Sequence, residues 1–195
     1  MTGRLGQEWN VRASRLSLET HNPIRDVMEN MKIRPNPNKK YIPLSVGDPT
    51  VFGNLKPPES LIDIICDTAK LNESRNYGPT IGLEEARQAV AEYSAHQGAV
   101  KADDIILCSG CSHAIEITLS SLADAGQNVV IPRPGYMIHK TIGQGLGIVI
   151  KYYNLLPEKN FMVDLNSLES QIDENTAAII VNNPSNPCGS VYSKK

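Results

Sequence analysis

From residue 59 onward, apolar positions alternate between helical spacing and short continuous runs, and this alternation organises the chain. Glu59 to Lys70 sets Leu61, Ile62, Ile65 and Ala69 on one face of a helix. Leu83 to Gln97 does the same with Leu83, Ala86, Val90 and Tyr93, and Gly98 supplies the stop. Next, 104–108 predicts a strand, Ser109 opens a helix that runs to about Ala123, and 128–131 predicts a second strand. Helical pattern returns over 136–144 and 164–172, and strand pattern over 147–153 and 177–182. Short strands separated by helices predict βαβ units and a parallel sheet, an α/β fold. The first third behaves differently. Its prolines, and the stretch Pro35-Asn36-Pro37-Asn38-Lys39-Lys40 in particular, predict an irregular, Pro-rich N-terminal arm.

Composition narrows the function classes. The chain has 195 residues, with 19 Lys+Arg against 21 Asp+Glu and a formal net charge of −2. A nucleic-acid surface needs clustered cations, and here Lys39-Lys40 and Lys194-Lys195 are mere doublets. No apolar run approaches the roughly 20 residues of a membrane span, and Met1 to Glu8 lacks the apolar core of a secretory leader. Four cysteines do not make a disulfide scaffold, so a reducing, cytoplasmic setting is the expectation. Cys108 and Cys111 form a C-x-x-C pair, but Cys66, Cys188 and the four histidines offer no further ligands at matching spacing, so no metal site is expected.

Four segments carry candidate chemistry, all near element ends where open α/β sheets bind ligands. Ser109-Gly110-Cys111-Ser112 turns a strand into a helix, and the N–H groups at a helix start favour an anion. Taken alone it reads more readily as an ordinary N-cap. Pro132-Arg133-Pro134-Gly135-Tyr136 is either a rigid turn with a core tyrosine or a ring platform for a planar ligand. Asn182 to Gly189 holds two Asn-Pro pairs in one turn, with amides that both donate and accept. Asn76 to Leu83 is a Gly/Pro-rich entry to an amphipathic helix.

Together these segments resemble the amino-terminal half of the fold-type I pyridoxal-phosphate aminotransferases. Further stretches carry the same resemblance: Asn22-Pro23-Ile24-Arg25, 45–54 around Gly47-Asp48-Pro49-Thr50, and 153–159. The likeness covers the chain from about Trp9 to its end. It implies part of a three-layer αβα parallel-sheet domain, with 1–56 as arm and start of a small domain and 57–195 as the front of the cofactor-binding large domain. It implies pyridoxal 5'-phosphate as cofactor and an amino acid and a 2-oxo acid as substrates, tyrosine and 2-oxoglutarate among them, in a homodimer.

Roles follow position by position from the resemblance. Ser109, Gly110, Cys111 and Ser112 match the loop that receives the cofactor phosphate. Tyr136 matches the aromatic stacked on the pyridine ring, and Asn186 the asparagine bonded to the ring's phenolic oxygen. Tyr77 matches a tyrosine that reaches the partner subunit's phosphate, and Gly47 a glycine whose backbone lies beside the substrate carboxylate. Cys111 stands where aspartate-type relatives carry threonine, with Ser112 as a substitute hydroxyl.

The family's Schiff-base lysine, its aspartate on the pyridinium nitrogen and its substrate-binding arginine have no counterpart in the matched segments. None of the eleven lysines takes the first role, and Arg25 and Arg133 are candidates for other anion contacts. The expectation is a chain inactive by itself and loosely folded, because only the strands at 128–131 and 147–153 would pair directly. A non-catalytic alternative has the chain dimerise with, or interfere with, a full-length subunit.

Overall fold

The computed structural model describes residues 11–32, 34–42, 47–50 and 55–193. Met1 to Glu8, Ser45-Val46 and 51–54 beside Gly47, and Lys194-Lys195 lie outside them. The described residues of Met1–Asn30 and Ser109–Lys195 form one compact unit, and those of Met31–Cys108 form another.

The first unit is built on a four-stranded sheet. Its strands are β1 (Asn128–Arg133), β2 (Val149–Leu156), β3 (Met162–Val163) and β4 (Thr176–Ile179), in the order β3-β2-β1-β4. β1 is parallel to both neighbours: Val129 lies opposite Ile150 on β2 and Ala178 on β4. Central position explains its composition, since a strand covered on both faces reads as a continuous apolar run. Successive side chains of β1 go to opposite faces. Val129 and Ile131 pack with Leu119, Ile148, Ile115 and Ile142, whereas Val130 packs with Tyr153, Leu155, Val163 and Leu168. Helices α5 (Gly110–Leu122) and α6 (Ile138–Gly145) cover the first face and α7 (Leu165–Gln171) the second. The result is a three-layer αβα arrangement.

A polar clamp ties the amino ends of these strands. Asp173 accepts from Lys151 Nζ and, at 2.8 Å, from Asn128 Nδ2, while Thr176 Oγ1 donates to Asn128 Oδ1 at 2.8 Å. The lysine ammonium, then the asparagine amide, holds the Asp173 carboxyl well below the usual carboxylate range.

Three sequence expectations need correction. The N-terminal arm is not wholly irregular: it carries α1 (Arg15–Glu19) and α2 (Pro23–Asn30). Ser14 Oγ caps α1 through the Ser17 N–H at 3.1 Å, and Asn22 Oδ1 accepts from Ile24 N–H at 3.1 Å with Pro23 at the first helical position. α1 sits on α6 because Gly145 has no side chain; a Cβ there would lie 2.8 Å from Thr20 Oγ1 and 3.0 Å from Leu16 Cδ1. The strand at the chain's carboxyl end, β4, pairs directly with β1, so more than two of the expected strands are neighbours. The segment 104–108 joins no sheet among the described residues. A strand needs a ladder partner, and here Leu107 N–H finds a single turn carbonyl, Ile81, at 3.0 Å. The two-residue antiparallel β3 was not foreseen, being too short to show a period.

In the second unit, α3 (Glu59–Lys70) and α4 (Glu84–Ser94) follow their predicted spans, and Gly98 past α4 takes φ +138°. Arg87 on α4 is buried: its guanidinium donates to the Ala102 carbonyl at 2.6 Å and the Gly82 carbonyl at 3.2 Å. The apolar face of α3 stays open, with Ile62 at 51% and Ile65 at 56% exposure.

Candidate functional site

α5 ends at Leu122, a short turn before β1 begins at Asn128. Helix and strand each extend about 20 Å, so the start of α5 lies at the carboxyl ends of the parallel strands, where open sheets bind ligands. The turn after β1 and the turn after β4 leave from that same end. Ile180 N–H still bonds the Val130 carbonyl, at 2.9 Å, as the chain departs β4. Three of the four segments singled out in the sequence therefore gather at one end of one unit. The fourth, with Tyr77, belongs to the other unit, as does Gly47; Tyr77 is fully exposed, and a Cβ on Gly47 would meet nothing within 4 Å among the described residues.

At the start of α5 the backbone bends through Gly110, whose φ of +82° suits a residue without Cβ. The Ser109 side chain makes no capping bond; instead the Ser109 N–H donates to His113 Nδ1 at 3.1 Å. The first-turn N–H groups have no intrahelical acceptor, and Gly110, Cys111 and Ser112 are all exposed. Positive helix-end potential and free donors together suit a phosphate.

The turn after β1 is held by close backbone packing. A Cβ on Gly135 would lie 2.3 Å from the Pro132 carbonyl oxygen, so only glycine fits. Tyr136 follows, half-buried, and meets the ring of His139 edge-on at 5.6 Å and 88°. His139 is a residue that the sequence reading passed over. It is 6% exposed, its Nδ1 has no hydrogen-bond partner among the described residues, and burial lowers its pKa below 6.5. The spacing Tyr136-x-x-His139 on a helical pattern was the available signal.

That burial sets a pH dependence. The folded protein resists protonating His139 while the unfolded chain does not, so stability present above about pH 6.5 is lost progressively as pH falls. Thermal melts across this range are expected to show a falling midpoint, with a shallower fall in His139→Phe. An identical slope in both proteins contradicts the assignment.

The turn after β4 is closed by its own bonds. Gly189 N–H donates to the Ser185 carbonyl at 2.7 Å, Ser185 N–H to the Ser190 carbonyl at 2.9 Å, and Tyr192 N–H to Asn183 Oδ1 at 3.0 Å. Asn186 N–H is taken by Asn182 Oδ1 at 2.9 Å, which fixes its backbone while its side chain remains exposed. The bonds Arg133-Pro134, Asn183-Pro184 and Asn186-Pro187 are cis. Beneath the turn, Tyr153 Oη donates to the Ile180 carbonyl at 3.0 Å, and burial with the nearby Tyr192 pushes its pKa up to about 12.

Among the described residues no group of three or more His, Cys, Asp or Glu could hold a metal ion, and no helix is long and apolar enough to cross a membrane.

Comparison with known proteins decides the family. Residues 39–195 match the family model described as aminotransferase class I and II. The chain belongs to that family. Within it, the chain is 51% identical to tyrosine aminotransferase from Mus musculus over 188 residues, which is 96% of this chain and 41% of the mouse protein. The crystal structure of tyrosine aminotransferase from Leishmania infantum aligns with TM-score 0.85 at 32% identity, covering 96% of this chain and 47% of that one. Alanine aminotransferase from Pyrococcus furiosus aligns at 0.81 and 28%, covering 94% and 47%. The chain thus spans somewhat under half the length of these aminotransferases. Relatives named for tyrosine and for alanine share the architecture, so the fold alone does not choose the amino donor.

Proposed function

We propose that this chain forms the cofactor-gripping part of a pyridoxal 5'-phosphate-dependent aminotransferase that moves an amino group from tyrosine to 2-oxoglutarate. The open start of α5, beside the Tyr136 and Asn186 turns, is the observation that carries this reading. The identity to mouse tyrosine aminotransferase supports the choice of donor, and four cysteines, too few for a disulfide scaffold, support a reducing, cytoplasmic setting.

The exposed start of α5, with its free N–H donors and positive helix-end potential, suits the charge of the group's phosphate. The N–H groups of Gly110, Cys111 and Ser112 would hold the phosphate, with the Ser109 and Ser112 hydroxyls alongside; Cys111 brings a thiol where a hydroxyl serves in aspartate-type relatives. Tyr136 would stack on the pyridine ring, its own ring steadied edge-on by His139. The Asn186 amide, unengaged among the described residues, donates to the ring's phenolic oxygen. Tyr77 reaches the partner's cofactor phosphate in a homodimer, which accords with its full exposure, and the Gly47 backbone lies beside the substrate carboxylate. The cofactor, once bound, supplies the electron sink through which an amino group is carried between two substrates. None of the described lysines lies in a segment that matches the family's reactive lysine, and Lys151 Nζ is committed to Asp173 and the Gln171 carbonyl. The chain by itself therefore grips the cofactor without turning tyrosine over.

Equilibrium dialysis tests the grip. The chain is expected to retain pyridoxal 5'-phosphate, and Gly110→Val to weaken retention about tenfold or more by straining the φ of +82° and misaiming charge-assisted donors. Borohydride treatment is expected to leave no stoichiometric adduct. Equal retention by both proteins, or a specific adduct together with tyrosine turnover, refutes the proposal.

A further inference from the structure

Elsewhere in this chain, a polar residue that precedes an α-helix turns its side chain back onto that helix. Ser14 Oγ accepts from the Ser17 N–H and Asn22 Oδ1 from the Ile24 N–H, and Asp164 Oδ1 accepts from Asn166 and Ser167 at 3.1 and 3.2 Å. Ser109 does not. It stands at the same place before α5, yet its hydroxyl makes no capping bond. The backbone shows why: ψ is 66° at Ser109 against 160° at Ser14, and a capping side chain reaches the first-turn N–H groups from an extended backbone.

His113, in the first turn of α5, takes the place of the serine cap. The Ser109 N–H donates to His113 Nδ1 at 3.1 Å. A backbone N–H can only donate, so Nδ1 offers its lone pair and the ring proton of the bonded form sits on Nε2. The arrangement is one half of a capping box. A side chain of the first turn satisfies the N-cap N–H, while the reciprocal bond from the N-cap side chain is not made. The half that is made occupies the outermost donor. The half left out keeps the inner donors, the Cys111 and Ser112 N–H groups, and the Ser109 hydroxyl open at an exposed surface.

We infer that His113 is a positioning residue for the phosphate site at the start of α5, a role that rests on the cofactor reading above. By holding the Ser109 N–H it keeps Ser109 out of capping geometry and so reserves the first-turn donors and the serine hydroxyl for a phosphate. Without the imidazole, the Ser109 hydroxyl turns onto the Ser112 N–H, as Ser14 does onto Ser17. A phosphate must then displace that bond. An ordinary serine cap corresponds to about fivefold in affinity.

The test uses the 195-residue chain labelled with nitrogen-15, in mildly alkaline buffer, beside His113→Leu and His113→Gln. Ring-nitrogen spectra of the parent without ligand should place the His113 proton on Nε2. Amide exchange at Ser112 should be slower in His113→Leu than in the parent, because the serine cap takes that N–H; a merely structural loss would fray the turn and speed exchange. Equilibrium dialysis should show pyridoxal 5'-phosphate held about fivefold more weakly by His113→Leu. His113→Gln, whose amide oxygen restores an acceptor, should stay within about twofold of the parent. Inorganic phosphate should shift the Cys111 and Ser112 amide signals of the parent at lower concentration than those of His113→Leu. A proton on Nδ1, faster Ser112 exchange in His113→Leu, or equal retention by His113→Leu and the parent overturns the role of His113 and leaves the cofactor reading standing. So does a His113→Gln protein that retains the cofactor no better than His113→Leu. A parent that responds to inorganic phosphate as expected but retains no pyridoxal 5'-phosphate overturns the cofactor reading and keeps His113 as the positioning residue of a phosphate site. A parent that binds neither overturns both.

Discussion

Replacing Gly135 with alanine destabilises the first unit by about 1–3 kcal/mol, the range reached when overpacking forces a backbone to move. The added Cβ would lie 2.3 Å from the Pro132 carbonyl oxygen and 3.2 Å from its carbon. Both are main-chain atoms, so no side-chain rotation relieves the overlap. Pro132 is fully buried at the end of the central strand, and the shift therefore falls on Gly135 and Tyr136. The ring of Tyr136 then leaves its edge-on contact with His139. Denaturant unfolding should show a lower midpoint for Gly135→Ala, and dialysis a matching loss of pyridoxal 5'-phosphate. An unchanged midpoint would mean that the turn is looser than its packing implies.

A loss of about 3–5 kcal/mol is expected for Tyr153→Ala, the cost of emptying a large aromatic site. Tyr153 is 1% exposed and packs with Val130 and Leu155, and Phe161, Val163, Leu168, Cys188 and Tyr192 close over that cluster. Cys188 and Tyr192 flank the turn that presents Asn186, so the cavity undermines the support of that turn. Tyr153→Phe keeps the ring but strips the Ile180 carbonyl of its 3.0 Å partner, at about 1 kcal/mol. The hydroxyl also leaves a pH signature. Burial raises its folded pKa to about 12 from 10.0, so its contribution is intact below pH 10.0 and is lost as pH rises through about 12. Urea unfolding of the parent, Tyr153→Phe and Tyr153→Ala should rank in that order, with the alkaline loss shallower in the phenylalanine variant. Equal midpoints for Tyr153→Ala and the parent would place the ring outside the core.

Much of the architecture was readable because it is local. The spacing in Glu59–Lys70 and Glu84–Ser94 marks helices before any partner is known, and Gly98 ends the second by a conformation that few other residues adopt. The unbroken apolar run 129–132 announces a strand covered on both faces. The candidate site was readable for a related reason. Gly110, Gly135 and the Asn-Pro pairs are residues whose backbone preferences impose turns, and turns at strand ends are where chemistry collects. α1 and α2 were legible too, through Ser14, Asn22 and Pro23, but the prolines that follow drew the whole arm into one irregular reading.

The remainder depends on partners distant in sequence. Nothing in Thr176–Ile179 states that β1, over forty residues earlier, is its neighbour; that choice follows from α5 and α6 filling one face while α7 fills the other. His139 looks like any surface histidine until the fold buries it with the Tyr136 ring edge-on against it. Arg133 becomes a fixed cation only when β2 brings Tyr152 and Asn154 beside it. Residue chemistry by itself determined which segments turn, coil or extend, because those preferences act over a few bonds. Tertiary structure decided which strands meet, which polar groups lose water and where a cavity opens, because those depend on surfaces that the chain brings together only when it folds.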